Sequence, residues 1–389
     1  MRLGENMITI KEVQSRKDKK LFLDFPQKLY KGNAYYVPPL YMDEKKLLGK
    51  GHEYCDQADA VYYLAFRDGK CVGRISGILQ YVANEKWKQK RVRFTRFDCI
   101  DDQEVANALF DTVEKWGKER GMEEIVGPLN FTDMDREGLL IDGFDQVSTF
   151  ETQYSYPYYK TLIENYGFRK DVDWIEHQLR APKPETFEHM QKVSAAALER
   201  YGLCRGTAKN TREFLKKYAD QFFEMVDVTY SHLYGSVPFT EKMKKVMIAN
   251  FKLIINIKYV AVIVDKNDKV VCFGLCFPFI GKPLQKSGGH IYPATLIKLL
   301  HILKHPKSLD LALIGVAPEY RLKGVSSALF TELAKLLMQD GVEFAETNCT
   351  LETNHNILNQ WKVFESKEHK RRRCFVKTIG VKPDTPPED

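Results

Sequence analysis

One stretch constrains this chain more than any other: residues 311–341, LALIGVAPEYRLKGVSSALFTELAKLLMQDG. It starts with an apolar run, 311–316, of the length and character of a buried strand. A short basic turn follows, Pro318-Glu319-Tyr320-Arg321-Leu322-Lys323-Gly324. Then comes a helix with Val325, Ala328, Leu329, Leu333, Leu336 and Leu337 on one side. A strand, a glycine-bearing basic turn and a helix start gather backbone N–H groups at the positive end of a helix dipole. That is a seat for a phosphate. Val316, Arg321, Leu322, Lys323, Gly324, Val325 and Ser326 are the residues that would form it.

At 389 residues the chain is long enough for two domains, each with its own core. A net charge of +7 suits an anionic ligand or an acidic membrane surface. No basic block is long enough for a nucleic-acid tail; the densest, HKRRR at 369–373, reads as a solvated strand end or loop. The eight cysteines form no C-x-x-C pair, so reduced thiols in a cytosolic protein are expected. The histidines show no ligand spacing, so no metal is expected. There is no signal peptide and no apolar run near 18 residues, so nothing is expected to span a membrane.

Met7 begins a strand-like run, which makes the first six residues read as dispensable. The aromatic-rich stretch 22–40 ends in an extended YVPPL. Residues 61–66 and 71–79 form a hairpin closed by an Asp68-Gly69 turn. A strand at 93–100 leads to a helix capped by Asp102 and running to about 120, then to a strand at 125–130. Residues 131–159 are polar, tyrosine-rich and irregular, and long irregular stretches in a domain are usually functional or disordered. Asn130, Asp133, Asp142, Tyr154 and Tyr158 would line an acceptor cleft there; packing under a loop is the plainer alternative. A short helix from 160 and a strand at 174–179 complete the first half. Ala181-Pro182-Lys183-Pro184 marks a boundary, and helices follow to about 249. The order then repeats, with a hairpin at 260–279, the opening strand and helix, a strand at 344–351, a short helix and a last strand at 373–379. This divides the chain into lobes at 1–180 and 251–389 with a helical connection at 181–250. Residues 296–304, LIKLLHILK, are an amphipathic helix that either faces the core, the simpler reading, or rests on a membrane or flanks an acyl tunnel.

Shifting the second half back by 220 residues lays 325–344 on 105–124 without a gap, with identities at 105/325, 108–110/328–330, 115/335, 121/341 and 123/343. Duplication is the better reading. Arg321 and Gly324 then fall on Asp101 and Glu104. Carboxylates at a helix start suit the helix but repel a pyrophosphate, so only the second copy is expected to hold a phosphorylated ligand.

Arg321-x-x-Gly324-x-Ser326 resembles the Gln/Arg-x-x-Gly-x-Gly/Ala loop of the GNAT acyltransferase superfamily, with Ser326 as a departure. A closer resemblance runs through YVPPL (36–40), DGKCVGRISG (68–77), FDCIDDQEVANALF (97–110), GPLNFTDMDREGLLIDGFD (127–145), YPYY (156–159), YGSVPFTE (234–241), GVAPEYRLKG (315–324) and AETNCTLETN (345–354). Together these are similar to a bacterial family of two-lobed GNAT-like proteins, to which bacterial ceramide synthases are similar. The resemblance implies an α+β fold of tandem GNAT-like lobes, each a mixed sheet flanked by helices. It implies acyl-CoA or an acyl carrier thioester as co-substrate, no permanently bound cofactor, and an amine acceptor, either a long-chain base or a small-molecule or peptide amine. A non-catalytic acyl-CoA-binding protein is the alternative, because the tyrosine often found on the last GNAT helix is absent from 360–365. An alkyl ammonium loses its proton near pH 10.4, so transfer needs a base. Glu346, on the strand after the phosphate-loop helix, is the first choice, against a salt-bridged strand end. Glu352 is a second catalytic candidate and Asn354 a cofactor contact at the next turn, where helix capping is the plainer role for Asn354.

Overall fold

The Asp68-Gly69 turn adopts the geometry its sequence requires: both residues have positive φ, 50° and 73°, as a type I′ hairpin demands. The computed structural model describes residues 7–339 and 341–381; the first six residues lie outside the described residues. The chain divides into two units. The first is Met1–Trp174 with Gly281–Thr295 and Lys370–Asp389, and the second is Ile175–Ile280 with Leu296–His369.

The chain enters the first unit as β1 (Thr9–Glu12), α1 (Arg16–Leu29), α2 (Tyr41–Leu47), β2 (Ala58–Arg67), β3 (Lys70–Gln80), α3 (Tyr81–Lys86), β4 (Arg91–Cys99) and α4 (Gln103–Lys118). It continues as β5 (Glu124–Gly127), β6 (Leu139–Asp142), α5 (Tyr158–Asn165) and the start of β7 (Arg169–Arg180). β1, β2, β3 and β4 are antiparallel neighbours, and β5 joins β4 in parallel. α4 lays Val105, Leu109, Phe110 and Val113 over Ile75, Val92 and Phe94, all fully buried. Helix α1 is not expected from its sequence, because RKDKK and Pro26 mask the signal. Its start is a capping box: the Ser15 hydroxyl accepts from the Asp18 amide at 3.1 Å and the Asp18 carboxylate accepts from the Ser15 amide at 3.1 Å. Pro26 has no N–H to offer the Phe22 carbonyl four residues back. Arg74 takes that carbonyl instead, donating from Nη1 at 2.8 Å.

Burial pushes the Glu151 carboxyl up to about 7 from the usual 4.5, against the pull of Arg136. A folded pKa above the unfolded one adds stability that is full below about pH 4.5 and lost as pH rises through 7. Glu151→Gln is therefore expected to unfold at a higher temperature than the parent at pH 8, by on the order of 2 kcal/mol, and not at pH 4. Thermal unfolding across that range checks it; equal pH slopes in the two proteins would refute it.

The second unit contains α6 (Pro184–Tyr201), β8 (Cys204–Arg205), α7 (Thr211–Tyr230), α8 (Glu241–Ile254), β9 (Val260–Val264) and β10 (Val270–Pro278). After α9 (Gly281–Ser287), which belongs to the first unit, come α10 (Pro293–Lys304), β11 (Ser308–Val316), α11 (Ser326–Gln339), β12 (Phe344–Thr347), β13 (Thr350–Leu351), α12 (His355–Gln360) and β14 (Glu365–Thr378). β8, β9, β10 and β11 are antiparallel neighbours and β12 joins β11 in parallel. Met190 of α6 and Phe330 and Leu333 of α11 pack with Cys276, Leu309 and Ala345. Phe214 and Phe222 of α7 pack with Leu275, Phe277 and Leu313. Cys276 alternates with Leu275 and Phe277, so the two helix layers cover opposite faces of this sheet. Both units thus repeat hairpin, antiparallel strand, helix, parallel strand: tandem mixed α/β lobes.

Two expectations change. The lobes are not consecutive segments: Gly281–Thr295 and the chain from Lys370 belong with the first. Phe375–Thr378 pairs antiparallel with β5, and Gln285 donates to the carbonyls of Ala34 and Tyr36 at 2.8 and 3.1 Å. Such pairings between distant residues leave no local trace. Nor is 369–373 a solvated end. It lies inside β14, where Lys370 and Arg372 are buried and Arg373 forms a two-pronged pair with Asp173 at 2.8 and 3.0 Å. The last strand accordingly starts at Glu365 rather than at 373.

Candidate functional site

β12 accompanies β11 only from Ser308↔Phe344 to Leu311↔Thr347, and the Asn348 amide closes the run on the Leu311 carbonyl at 3.1 Å. β11 continues to Val316 against β10, with a bulge where the register skips Ala312. Beyond the bulge a side chain meets the backbone of β11. The Tyr230 hydroxyl donates to the Ile314 carbonyl at 2.9 Å and accepts from the Ile314 amide at 3.1 Å. A 3₁₀ turn, Pro318–Tyr320, then leads into the loop. Leu322 and Gly324 both have positive φ, 59° and 75°. Glycine adopts this freely. Leucine does not, and Leu322 is also 97% exposed. Held this way, the chain turns into α11, where the Ser327 and Ala328 amides donate to the Gly324 and Val325 carbonyls at 3.1 Å. Buried Val325 anchors that end, and Ser326 is half-buried beside it.

Two cations flank the loop. Arg321 folds back to donate from Nε to the Val316 carbonyl at 3.3 Å. Lys323 lies 5.4 Å from the Tyr201 ring and 6.0 Å from that of Tyr320. The corresponding helix start in the first unit is used internally. Asp102 accepts the Val105 amide at 3.1 Å, and Arg67 pairs with Asp102 and, at 3.0 Å, with Glu104.

Glu346, 7% exposed, sits on β12 level with Asp310 of β11 and Gln178 of β7. His369 of β14 places Nε2 3.7 Å from its carboxylate. Glu176 of β7 completes a set in which one ligand atom from each residue lies within 4.8 Å of the others. Two buried carboxylates and an imidazole can pass a proton or hold a divalent cation. Spacing along the chain could not reveal this set, since its members come from three strands. Next to it, burial lowers the His177 imidazole, against Glu368, and its amide donates to the Thr347 hydroxyl at 2.8 Å. Glu352 is half-buried at the following turn. Asn354 occupies the N-cap position of α12 but its side chain makes no capping bond.

A cavity of about 250 Å³ opens in the second unit between α11 and strands β9 to β11. Leu275, Leu311, Ile314, Leu329, Phe330 and Leu333 line it, with Arg205, Lys258 and Lys335 among its charged residues.

The four acceptor candidates of the first unit differ in burial and partners. Asn130 is buried, its side-chain oxygen accepting from Arg96 at 2.7 Å. Asp142 is exposed and accepts the Gly143 amide. Tyr154 donates to the Phe144 carbonyl at 3.0 Å and Tyr158 to the Cys99 carbonyl at 2.8 Å. Burial raises both phenols. Asp133, named with them, lies in the turn that follows Asn130.

No family model matches the chain. It is 26% identical over 391 residues to Protein YghO of Escherichia coli K12, covering 96% of this chain and 97% of the other. It is 25% identical over 385 residues to a bacterial ceramide synthase of Caulobacter vibrioides, covering 96% and 98%. Among solved structures, a tandem GNAT protein from the clavulanic acid biosynthesis pathway matches with a TM-score of 0.56 at 11% identity, over 96% of this chain and 99% of that one. The glucosamine N-acetyltransferase region of a fungal multi-domain GH3 β-N-acetylglucosaminidase matches with a TM-score of 0.57 at 13% identity, over 96% of this chain and 38% of that one. The chain has the tandem GNAT fold and is similar along its length to a bacterial ceramide synthase.

Proposed function

We propose that this tandem GNAT-fold chain is an N-acyltransferase that moves an acyl group from a CoA or acyl carrier thioester to a long-chain amine of the sphingoid-base type. The observation that carries the reading is the junction of β11 and α11. A left-handed Leu322 and Gly324 turn the chain into α11 between Arg321 and Lys323, beside a strand whose Ile314 amide and carbonyl bond to the Tyr230 phenol instead of to a neighbouring strand. A diphosphate fits the first, with Ser326 and Asn354 as further contacts. An extended amide-bearing arm fits the second, taking the place of Tyr230 on Ile314.

In this reading Glu346 accepts the proton of the attacking ammonium, with His369 and Glu176 beside it to share the charge. The free amine attacks the thioester carbonyl, the carbon–nitrogen bond forms, the carbon–sulfur bond breaks, and the leaving thiolate takes the proton that the nitrogen gives up on becoming an amide. Similarity to a ceramide synthase supports a long-chain base as acceptor. The apolar cavity supports a long acyl chain: at about 0.8 kcal/mol per buried CH₂, two more carbons raise affinity by about tenfold until the space is filled. Among the described residues no helix is long and apolar enough to cross a membrane. In this reading a lipid acceptor is met at the surface of the inner membrane.

Incubating the purified protein with sphinganine and acyl-CoAs of increasing length tests the proposal. N-acyl product whose rate rises with chain length is expected. Acetyl transfer to small amines with no long-chain turnover would overturn the acceptor, and CoA binding with no turnover on any amine would overturn the enzyme.

A further inference from the structure

Helix α10 buries very little of itself. Thr295 and Leu299, one turn apart, are buried at 6% and 8% exposure. Leu296, Ile297 and Leu300 are exposed at 47%, 69% and 51%. At about 100° per residue these three fall within an arc of about 100°. Lys304 lies on the same arc at its C-terminal end, His301 lies about 40° past its edge, and Lys298 lies about 100° past it, still on the exposed side of the helix. An amphipathic helix in a water-soluble protein turns such an arc inward; this one turns it out.

Charge along this stretch of chain is one-sided. Residues 281–309 contain Lys282, Lys286, Lys298, Lys304 and Lys307 and no aspartate or glutamate. A second copy of this chain is a poor occupant for the arc, since a two-fold contact sets the same patch against itself and would bring two lysine-bearing stretches that contain no acidic residue together. An apolar arc on an exposed helix side that also carries lysines, in a stretch of chain with no acidic residue, is what a helix lying in a lipid headgroup layer presents, with its leucines among the acyl chains and its lysines on the phosphates.

We propose that the exposed face of α10, carried by Leu296, Ile297, Leu300, Lys298 and Lys304, docks the protein on an anionic lipid bilayer. This goes beyond the transferase reading and does not rest on it, because vesicle binding needs no substrate. The full chain is expected to float with vesicles of phosphatidylcholine and phosphatidylglycerol and to float poorly with phosphatidylcholine alone. Leu296→Glu with Ile297→Glu should weaken partition by at least about tenfold, and Lys298→Glu or Lys304→Glu by about fivefold each or more. All four positions are exposed, so circular dichroism and the melting temperature should stay those of the parent. A parent that does not float, or a Leu296→Glu, Ile297→Glu protein that floats as well as the parent, overturns the proposal. So does a parent that runs as a dimer on light scattering without floating and becomes monomeric in that variant.

Discussion

Glu346→Gln is expected to cut turnover by about 10²–10⁴-fold while leaving acyl-CoA affinity unchanged. The amide matches the carboxylate in size and keeps a hydrogen-bonding oxygen, but it cannot take the proton of an attacking ammonium. The ammonium must lose that proton before its nitrogen has a lone pair to attack with, and at neutral pH it holds it strongly. Glu346 is suited to the task by position: it is buried, beside Glu176 and His369, on the strand that parts from β11 after Thr347. A merely structural glutamate would lower stability and binding together, so steady-state kinetics and direct CoA titration must be measured on the same preparation. Glu346→Asp, which keeps the acid but shortens the reach, should recover part of the rate. Full activity in Glu346→Gln removes it as the base.

The largest stability effect is expected at Asp98, at the end of β4. Its carboxylate takes Arg74 Nε at 2.8 Å and Nη2 at 2.7 Å, and its other oxygen accepts the Tyr30 hydroxyl at 3.0 Å. Arg74 in turn caps the carbonyl that Pro26 leaves unused and lies 4.8 Å from the Phe22 ring. Arg74 and Asp98 are both buried. Asp98→Ala strands a buried guanidinium and costs about 3–5 kcal/mol, much more than the net worth of the pair, because the remaining charge has lost its partner in a dry site. Thermal unfolding should show a fall on the order of 10 °C. Replacing both partners, Arg74→Met with Asp98→Ala, should recover much of the loss; a double variant as unstable as the sum of the singles would refute the coupling.

The candidate phosphate loop was legible in the sequence as a strand–turn–helix unit because every part of it is local. Strand, cation, glycine and helix follow one another in 311–341, and the comparison with 91–121 marked the second copy as the one with Arg321 and Gly324. The charged cluster was half legible. Glu346 could be singled out by its strand, but Glu176 carried no signal, and His369 was hidden in HKRRR, a run that reads as solvated because most such runs are. Tyr230 lies on a helix far from β11 in sequence, and nothing in its neighbourhood marks it as the partner of Ile314. The partners of the tyrosines of 154–159 were not legible either: Tyr154 and Tyr158 donate to the Phe144 and Cys99 carbonyls, which local sequence does not encode. Helix α1 did have a readable signal, Ser15-x-x-Asp18, outweighed by Pro26 and the charges before it.

The sequence alone determined that one unit occurs twice and that only its second copy carries a basic glycine turn. Periodicity, turn residues and helix caps act within a few residues, so they survive in a string. The tertiary structure decided the rest. Hydrogen bonds between distant strands sent Gly281–Thr295 and the chain from Lys370 to the first unit. Strand pairing also set Glu176, Glu346 and His369 together, and burial turned Lys370 and Arg372 of β14 from surface charges into interior ones. Pairing and burial depend on residues far apart along the chain, and no local pattern encodes them.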